Sequence, residues 1–259
     1  MNKTLKQLLD KFIELPEVEA IAIGGSTSAK TSDNTSDIDV YVFSGTGIPL
    51  EKRKNIIKPI STKHEIGGEY FGSGDEFLVD EINQQLDLMY WDMSWFENVI
   101  ENVWIKHYPS NGYTTCFLFT LKNFSIIYDK NNWLKNLQEK INTEYPIELQ
   151  KNIIHRNLML MKDKPFASYY EQIEKAIKRN DITSINHRIS AFVASYFDVI
   201  FSINKQLHCG EKRLINYVKN NCAIIPNNFE ENLQKLFTQP NNETLSILKD
   251  IIRELKDVL

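Results

Sequence analysis

Near the start of the chain, apolar side chains recur at helical steps. Leu5, Leu8, Leu9 and Phe12 fall on one face of a helix predicted over residues 4–15. Pro16 ends that pattern. The apolar run from Val18 to Ile23, closed by Gly24-Gly25, then reads as a buried strand and a tight turn. Ser26 to Ser36 has one alanine and no larger apolar side chain, which predicts a surface loop or a frayed helical turn. From Ile38 to Phe43 the period changes to two: Ile38, Val40 and Val42 share one side, and Asp37, Asp39, Tyr41 and Phe43 the other. A helix opened by Pro49 and running through Lys58 follows. Further strands are predicted near 75–80 and 85–90, with Gly67, Gly68, Gly72 and Gly74 marking turns, and then a helix over 93–105.

From about residue 130 the periodicity is helical only. Helices are predicted from Pro146 to Met161, from Phe166 to Lys178 and over 182–203. In the last of these, Ile182, Ile185, Ile189, Phe192, Tyr196, Val199 and Ile203 recur at steps of three and four. A final helix aligns Leu245, Leu248, Ile252, Leu255 and Leu259. The pattern is that of an α+β class protein: a short mixed sheet with helices over residues 1–128, followed by an all-α helical bundle over 129–259.

Composition narrows the class without identifying the activity. With 42% hydrophobic and 25% charged residues in 259, the chain has the balance of a soluble globular protein. No apolar run approaches the ~18–20 residues a membrane helix requires, and the N-terminus lacks the apolar core of a secretory signal. Cys116, Cys209 and Cys222 are scattered, as expected of reduced thiols in a cytoplasmic protein. A net charge of -4 argues against a long nucleic-acid polymer as partner, because neutralising phosphates needs a basic surface.

Two stretches carry chemistry. In Gly24-Gly25-Ser26, the missing Cβ atoms let the backbone approach a ligand closely, and the N–H groups with the Ser26 hydroxyl can hold a phosphate oxygen. In Ser36-Asp37-Ile38-Asp39, two carboxylates two residues apart on a strand point the same way, an arrangement suited to a hard cation such as Mg²⁺. Asp87, a lone acid within the apolar strand pattern Gln85 to Tyr90, is a candidate third carboxylate. Taken singly, each has an ordinary structural explanation: a turn, a strand-edge charge, an edge-strand acid. Their conjunction is what distinguishes the sequence.

That conjunction resembles the signature of the DNA polymerase β-type nucleotidyltransferases: an apolar strand, Gly-Gly or Gly-Ser, an Asp-hydrophobic-Asp pair, and a later third Asp. The chain is most similar to small bacterial two-domain members, including the aminoglycoside and lincosamide nucleotidyltransferases. Asp198 to Asn204 with Gly210 to Arg213 also resembles part of an uncharacterised bacterial family of the same layout. Where relatives often carry a glycine after the serine turn, this chain has Ala29-Lys30.

The resemblance implies a nucleoside triphosphate co-substrate and two Mg²⁺ ions held by Asp37, Asp39 and Asp87, the catalytic and metal residues. Gly24, Gly25, Ser26 and Ser36 would lie along the phosphates. The acceptor would be a hydroxyl of a small molecule, an antibiotic among the possibilities. Two alternatives stand beside this: modification of a protein or tRNA, as in toxin–antitoxin systems, and a catalytically silent nucleotide-binding regulator. Glu69, Asp75 and Asp80 compete with Asp87 as proton acceptor. Lys205, His208, Lys212 and Arg213 form a basic cluster after the long helix, with Lys212 as a phosphate-binding candidate; a solvated helix end explains the cluster equally well. Tyr90, Trp91, Trp95 and Trp104 read as core packing rather than as the walls of a cleft.

Overall fold

The computed structural model describes residues 2–24, 37–70, 72–238 and 241–259. The chain divides into two compact units, one of Met1–Glu101 with Thr120–Thr143, the other of Asn102–Phe119 with Glu144–Leu259.

The first unit is a six-stranded mixed sheet with helices. Its elements are α1 (Lys3–Ile13), β1 (Ala20–Ile23), β2 (Ile38–Ser44), α2 (Leu50–Ile57), β3 (His64–Gly68), β4 (Gly74–Val79), β5 (Gln84–Asp92) and α3 (Met93–Ile100). These are followed, after α4 (Cys116–Lys122), by β6 (Ser125–Asp129) and α5 (Trp133–Ile141). The strand order is β3-β4-β5-β2-β1-β6, with β2 and β5 parallel and the other pairings antiparallel.

Period-two alternation gives the sheet two different faces. Ile21, Val40, Val42, Phe77, Val79, Leu86 and Leu88 pack with Leu5, Leu8, Leu9 and Phe12 of α1 and Ile56 and Ile57 of α2. The apolar stripe of α1 therefore finds the partner its spacing called for, and Asn2 caps the helix by accepting from the Thr4 N–H. On the other face, Tyr41, Phe43 and Trp91 build an aromatic cluster with Phe96, Phe124 and Trp133. Trp91 lies within this packing, while Trp95, though against Trp91, stays exposed.

Two strands differ from the sequence reading. β3 takes in Gly67 and Gly68, which had marked a turn; Gly67 has φ +87° where the β3/β4 register shifts, so the glycine serves a bulge inside the ladder. β6 is short and only partly buried, and its apolar run, Ile126 to Tyr128, is three residues long, below the roughly four to eight that predict a strand.

The second unit is helical: α6 (Ile147–Leu158), α7 (Tyr169–Lys178), α8 (Ile182–Ile203), α9 (Leu214–Asn221), α10 (Phe229–Thr238) and α11 (Asn241–Lys256). α8 supplies its centre, with Ile185, Ile189, Phe192, Tyr196, Val199 and Ile200 all buried. Asp181 caps α8 by accepting from the Ser184 N–H. A polar knot lies inside this unit. Asp198 accepts from the Thr114 N–H (3.0 Å), the Thr114 hydroxyl (2.6 Å) and Asn157 Nδ2 (3.0 Å), and Asn157 Oδ1 accepts from the Gly112 N–H (3.1 Å). Among the described residues no helix is long and apolar enough to cross a membrane.

Candidate functional site

The sheet face that carries the aromatic cluster also carries the acids. Asp39 sits near the start of β2, and the β2/β5 ladder sets it directly opposite Asp87. Asp37, just before β2 and exposed, falls on the same side by alternation. Direct neighbours on adjacent strands lie about 4.7–4.9 Å apart. Gln85 Nε2 donates to Asp87 Oδ1 at 3.2 Å and helps to orient that carboxylate.

The row continues beyond the residues that spacing alone had singled out. In β4, Glu76 is the partner of Asp87, and in β3, Glu65 is the partner of Glu76. Asp39, Asp87, Glu76 and Glu65 thus form one line of carboxylates across four adjacent strands. Glu76 is exposed, and the negative charge of Asp87, followed by burial and by Glu65 and Asp37, holds its carboxyl above the usual carboxylate pKa. Among the described residues, no group of three His, Cys, Asp or Glu side chains stands ready to hold a metal ion. The acids form a row along the ladder.

Two of the competing acids are held by other contacts. Asp75 pairs with Leu88 on the opposite, core-facing side of the sheet, where it accepts from the Gly67 N–H (2.7 Å) and the Tyr90 hydroxyl (2.6 Å) and meets Arg53 at 3.5 Å. Asp80 accepts from the Thr62 N–H and hydroxyl. Glu69 is exposed in the β3–β4 connection. Tyr90 therefore belongs to the Asp75 network, with its phenol pushed well up by burial and by Asp75, and with the Arg53 guanidinium over its ring.

Gly24 follows β1 and donates its N–H to the Asp39 carbonyl at 3.0 Å. A Cβ there would stand 2.6 Å from the Tyr41 ring and 3.2 Å from Phe124, so packing against Tyr41 already requires glycine. Tyr41 stays a neutral phenol, because burial and the Asp39 charge both raise it. Gly25, Ser26 and Ser36 lie outside the described residues.

Lys212 belongs to the second unit, where it is exposed in the turn before α9. The basic cluster around it is smaller than its sequence suggests. His208 is fully buried between the rings of Tyr113 (4.6 Å) and Phe201 (4.7 Å), and burial pushes it down to about 4, so it is uncharged at neutral pH. Its Nδ1 accepts from the Gly210 N–H, which leaves the proton on Nε2, a buried atom without a hydrogen-bond partner among the described residues.

Comparison with known proteins matches residues 113–213 to a family described only as a domain of unknown function, DUF4037. That span includes Thr114, Asn157, Asp198 and His208. No curated protein matches the chain. Among solved structures, it is similar to a nucleotidyltransferase-like protein from Exiguobacterium sibiricum 255-15. The identity is 9% and the TM-score 0.50, over 98% of this chain and 75% of that one. Two further similarities have lower TM-scores. The STING-associated CdnE c-di-GMP synthase from Capnocytophaga granulosa gives 15% identity and TM-score 0.32, over 99% and 78% of the chains. The Thermotoga maritima CCA-adding enzyme gives 10% and 0.30, over 98% and 81%. The first likeness shows the fold: an α+β nucleotidyltransferase-like arrangement with C-terminal helices.

Proposed function

We propose that the chain is a metal-dependent nucleotidyltransferase that moves a nucleoside monophosphate from a nucleoside triphosphate to a hydroxyl of a small acceptor. The observation that supports this most is the pairing of Asp39 with Asp87 on the sheet face that Asp37 shares. Like charges directly opposite on neighbouring strands are unfavourable. A hard divalent cation offsets that repulsion, and three oxygen donors of this kind fit Mg²⁺ in chemistry and charge.

Bound there, Mg²⁺ would supply electrostatic stabilisation of the entering and departing oxygens of an in-line displacement. The remaining roles belong to the chain. Asp37 and Asp39 would hold the metal. Gly25 and Ser26, next in sequence after Gly24, would hold the β,γ-phosphates by backbone N–H groups and a hydroxyl, as the resemblance implies. Asp87, steered by Gln85, faces the acceptor and takes its hydroxyl proton on a carboxylate oxygen. The acceptor oxygen bonds to the α-phosphorus, the bond to the bridging oxygen breaks, and pyrophosphate leaves. The acceptor class rests on size, on the mildly negative charge and on the resemblance to antibiotic-modifying enzymes, since this fold alone serves many acceptors.

Calorimetric titration of non-hydrolysable nucleoside triphosphates, with and without Mg²⁺, tests the reading on wild type and on Asp37→Ala/Asp39→Ala. Binding that needs the metal and is lost in the variant is the expected result. Failure of every triphosphate to bind at any Mg²⁺ level overturns it.

A further inference from the structure

His208 is a buried titratable side chain that the proposed reaction leaves unused, and one of its donors is unmet. The imidazole packs between Phe201, which is fully buried, and Tyr113, which is 37% exposed. Nδ1 is occupied by the Gly210 N–H, while Nε2 has no hydrogen-bond partner among the described residues. A buried N–H left without an acceptor costs the folded state its lost hydration.

Tyr113 adds a second cost at the same place. Its φ of +56° lies in the left-handed region, where a bulky side chain is an outlier. Such a backbone persists only where its surroundings over-determine it. The anchors stand on either side: the Gly112 N–H donates to Asn157, and the Thr114 N–H and hydroxyl donate to Asp198. Tyr113 itself is held more lightly, by its carbonyl, which accepts from the Cys116 N–H at 3.2 Å. All of these residues belong to the second unit. Rotation of Tyr113 alone out of the left-handed region would relieve the strain and uncover Nε2, with both anchors in place.

We propose that Tyr113 is a gate over His208, which opens locally and offers the Nε2–H to an oxygen atom of a ligand entering from solvent. The gate does not depend on nucleotidyl transfer. It gives the buried Asp198 knot a task, which is to confine the motion to one residue.

Diethyl pyrocarbonate, which acylates neutral imidazole nitrogen, is the probe, applied to the full chain with peptide mapping by mass spectrometry. His208 should react ~10- to 1,000-fold more slowly than N-acetylhistidine, as for a minor state populated at about 0.1–10%. Urea below the unfolding transition should leave that rate unchanged, because a local opening exposes little surface. Tyr113→Gly, which suits a left-handed backbone, should react at least about tenfold faster than wild type while its urea midpoint shows it folded. Hydrogen exchange should find the amides of His208 and Gly210 protected more strongly than Nε2 is, because the gate moves without the loop that carries them. Reaction slowed by about 10⁴-fold or more, and rising with urea along the slope of global unfolding, overturns the gate. So does a wild-type rate in Tyr113→Gly. Amides that open as readily as Nε2 reacts also overturn it, since the 205–213 loop would then be lifting as a whole.

Discussion

Asp39 and Asp87 face each other across the pairing of β2 with β5, the one parallel pairing among the described strands. Neutralising one of them separates folding from activity. Asp87→Asn removes a like-charge opposition that costs about 0.2–1 kcal/mol, so in EDTA the variant should melt slightly above wild type. The same change should abolish pyrophosphate release from a nucleoside triphosphate in Mg²⁺. A variant that melts lower and keeps its activity would mark Asp87 as a structural acid.

How much of this was open to sequence reading depended on how local each signal was. The alternation of Asp37, Asp39, Tyr41 and Phe43 against Ile38, Val40 and Val42 is a property of one strand, and the packing follows it: Val40 and Val42 join the core with α1 and α2, Tyr41 and Phe43 the aromatic cluster, although both sides are buried. The stripe of α8 was equally local, as was the order of a mixed sheet before a helical bundle. β3 was missed because an exposed edge strand has little apolar pattern, and its two glycines look like a turn until the bulge is seen. Glu76 and Glu65 join the acidic row only through the registers of β4 with β5 and β3 with β4, and residue spacing does not give a register. Parity was the available clue: in Gly74-Asp75-Glu76-Phe77, Glu76 must face away from the buried Phe77. His208 misled for the opposite reason, because its basic neighbours in sequence said nothing about its burial.

Gly24 is constrained by a side chain as well as by any ligand. Gly24→Ala places a methyl group 2.6 Å from the Tyr41 ring, and relieving that overlap should cost about 1–3 kcal/mol. In a Tyr41→Leu background the same substitution should cost distinctly less, since the colliding ring edge is gone. Chemical denaturation of the four proteins of this cycle measures the coupling. Equal costs in both backgrounds would mean that Tyr41 is not what excludes a side chain there.

Asp75 and Arg53 are both buried, and the Tyr90 hydroxyl completes their pairing. Removing one partner from such a pair leaves an uncompensated charge, so Asp75→Leu should destabilise by about 3–5 kcal/mol. Arg53→Met/Asp75→Leu should recover much of that loss, because neither charge is then left buried alone. Urea unfolding of the single and double variants checks both statements. A double variant no better than Asp75→Leu would show that hydrogen bonding to Gly67 and Tyr90, rather than charge balance, dominates there.

Two buried groups in the helical unit should impose opposite pH dependences that nearly cancel. Burial raises Asp198 from an ordinary 3.8 to about 6, outweighing its three hydrogen bonds, so between these values the folded state binds more protons than the unfolded one. Its contribution to stability is therefore full below about pH 4 and declines as pH rises to about 6. Burial lowers His208 from 6.5 to about 4, so there the unfolded state binds more protons, and its contribution grows as pH rises through the same window. Wild-type stability should accordingly change little from these two groups between pH 4 and 6. Relative to wild type, His208→Phe should lose stability as pH rises across that window, and Asp198→Asn should gain it. Denaturant titrations at half-unit pH steps measure both slopes. Slopes of the same sign in the two variants would mean that one of these groups titrates in the folded protein much as it does in the unfolded chain. Thr114→Val then tells which: stripping a donor from Asp198 should push its carboxyl further up and move the aspartate's part of the window to higher pH, leaving that of His208 in place.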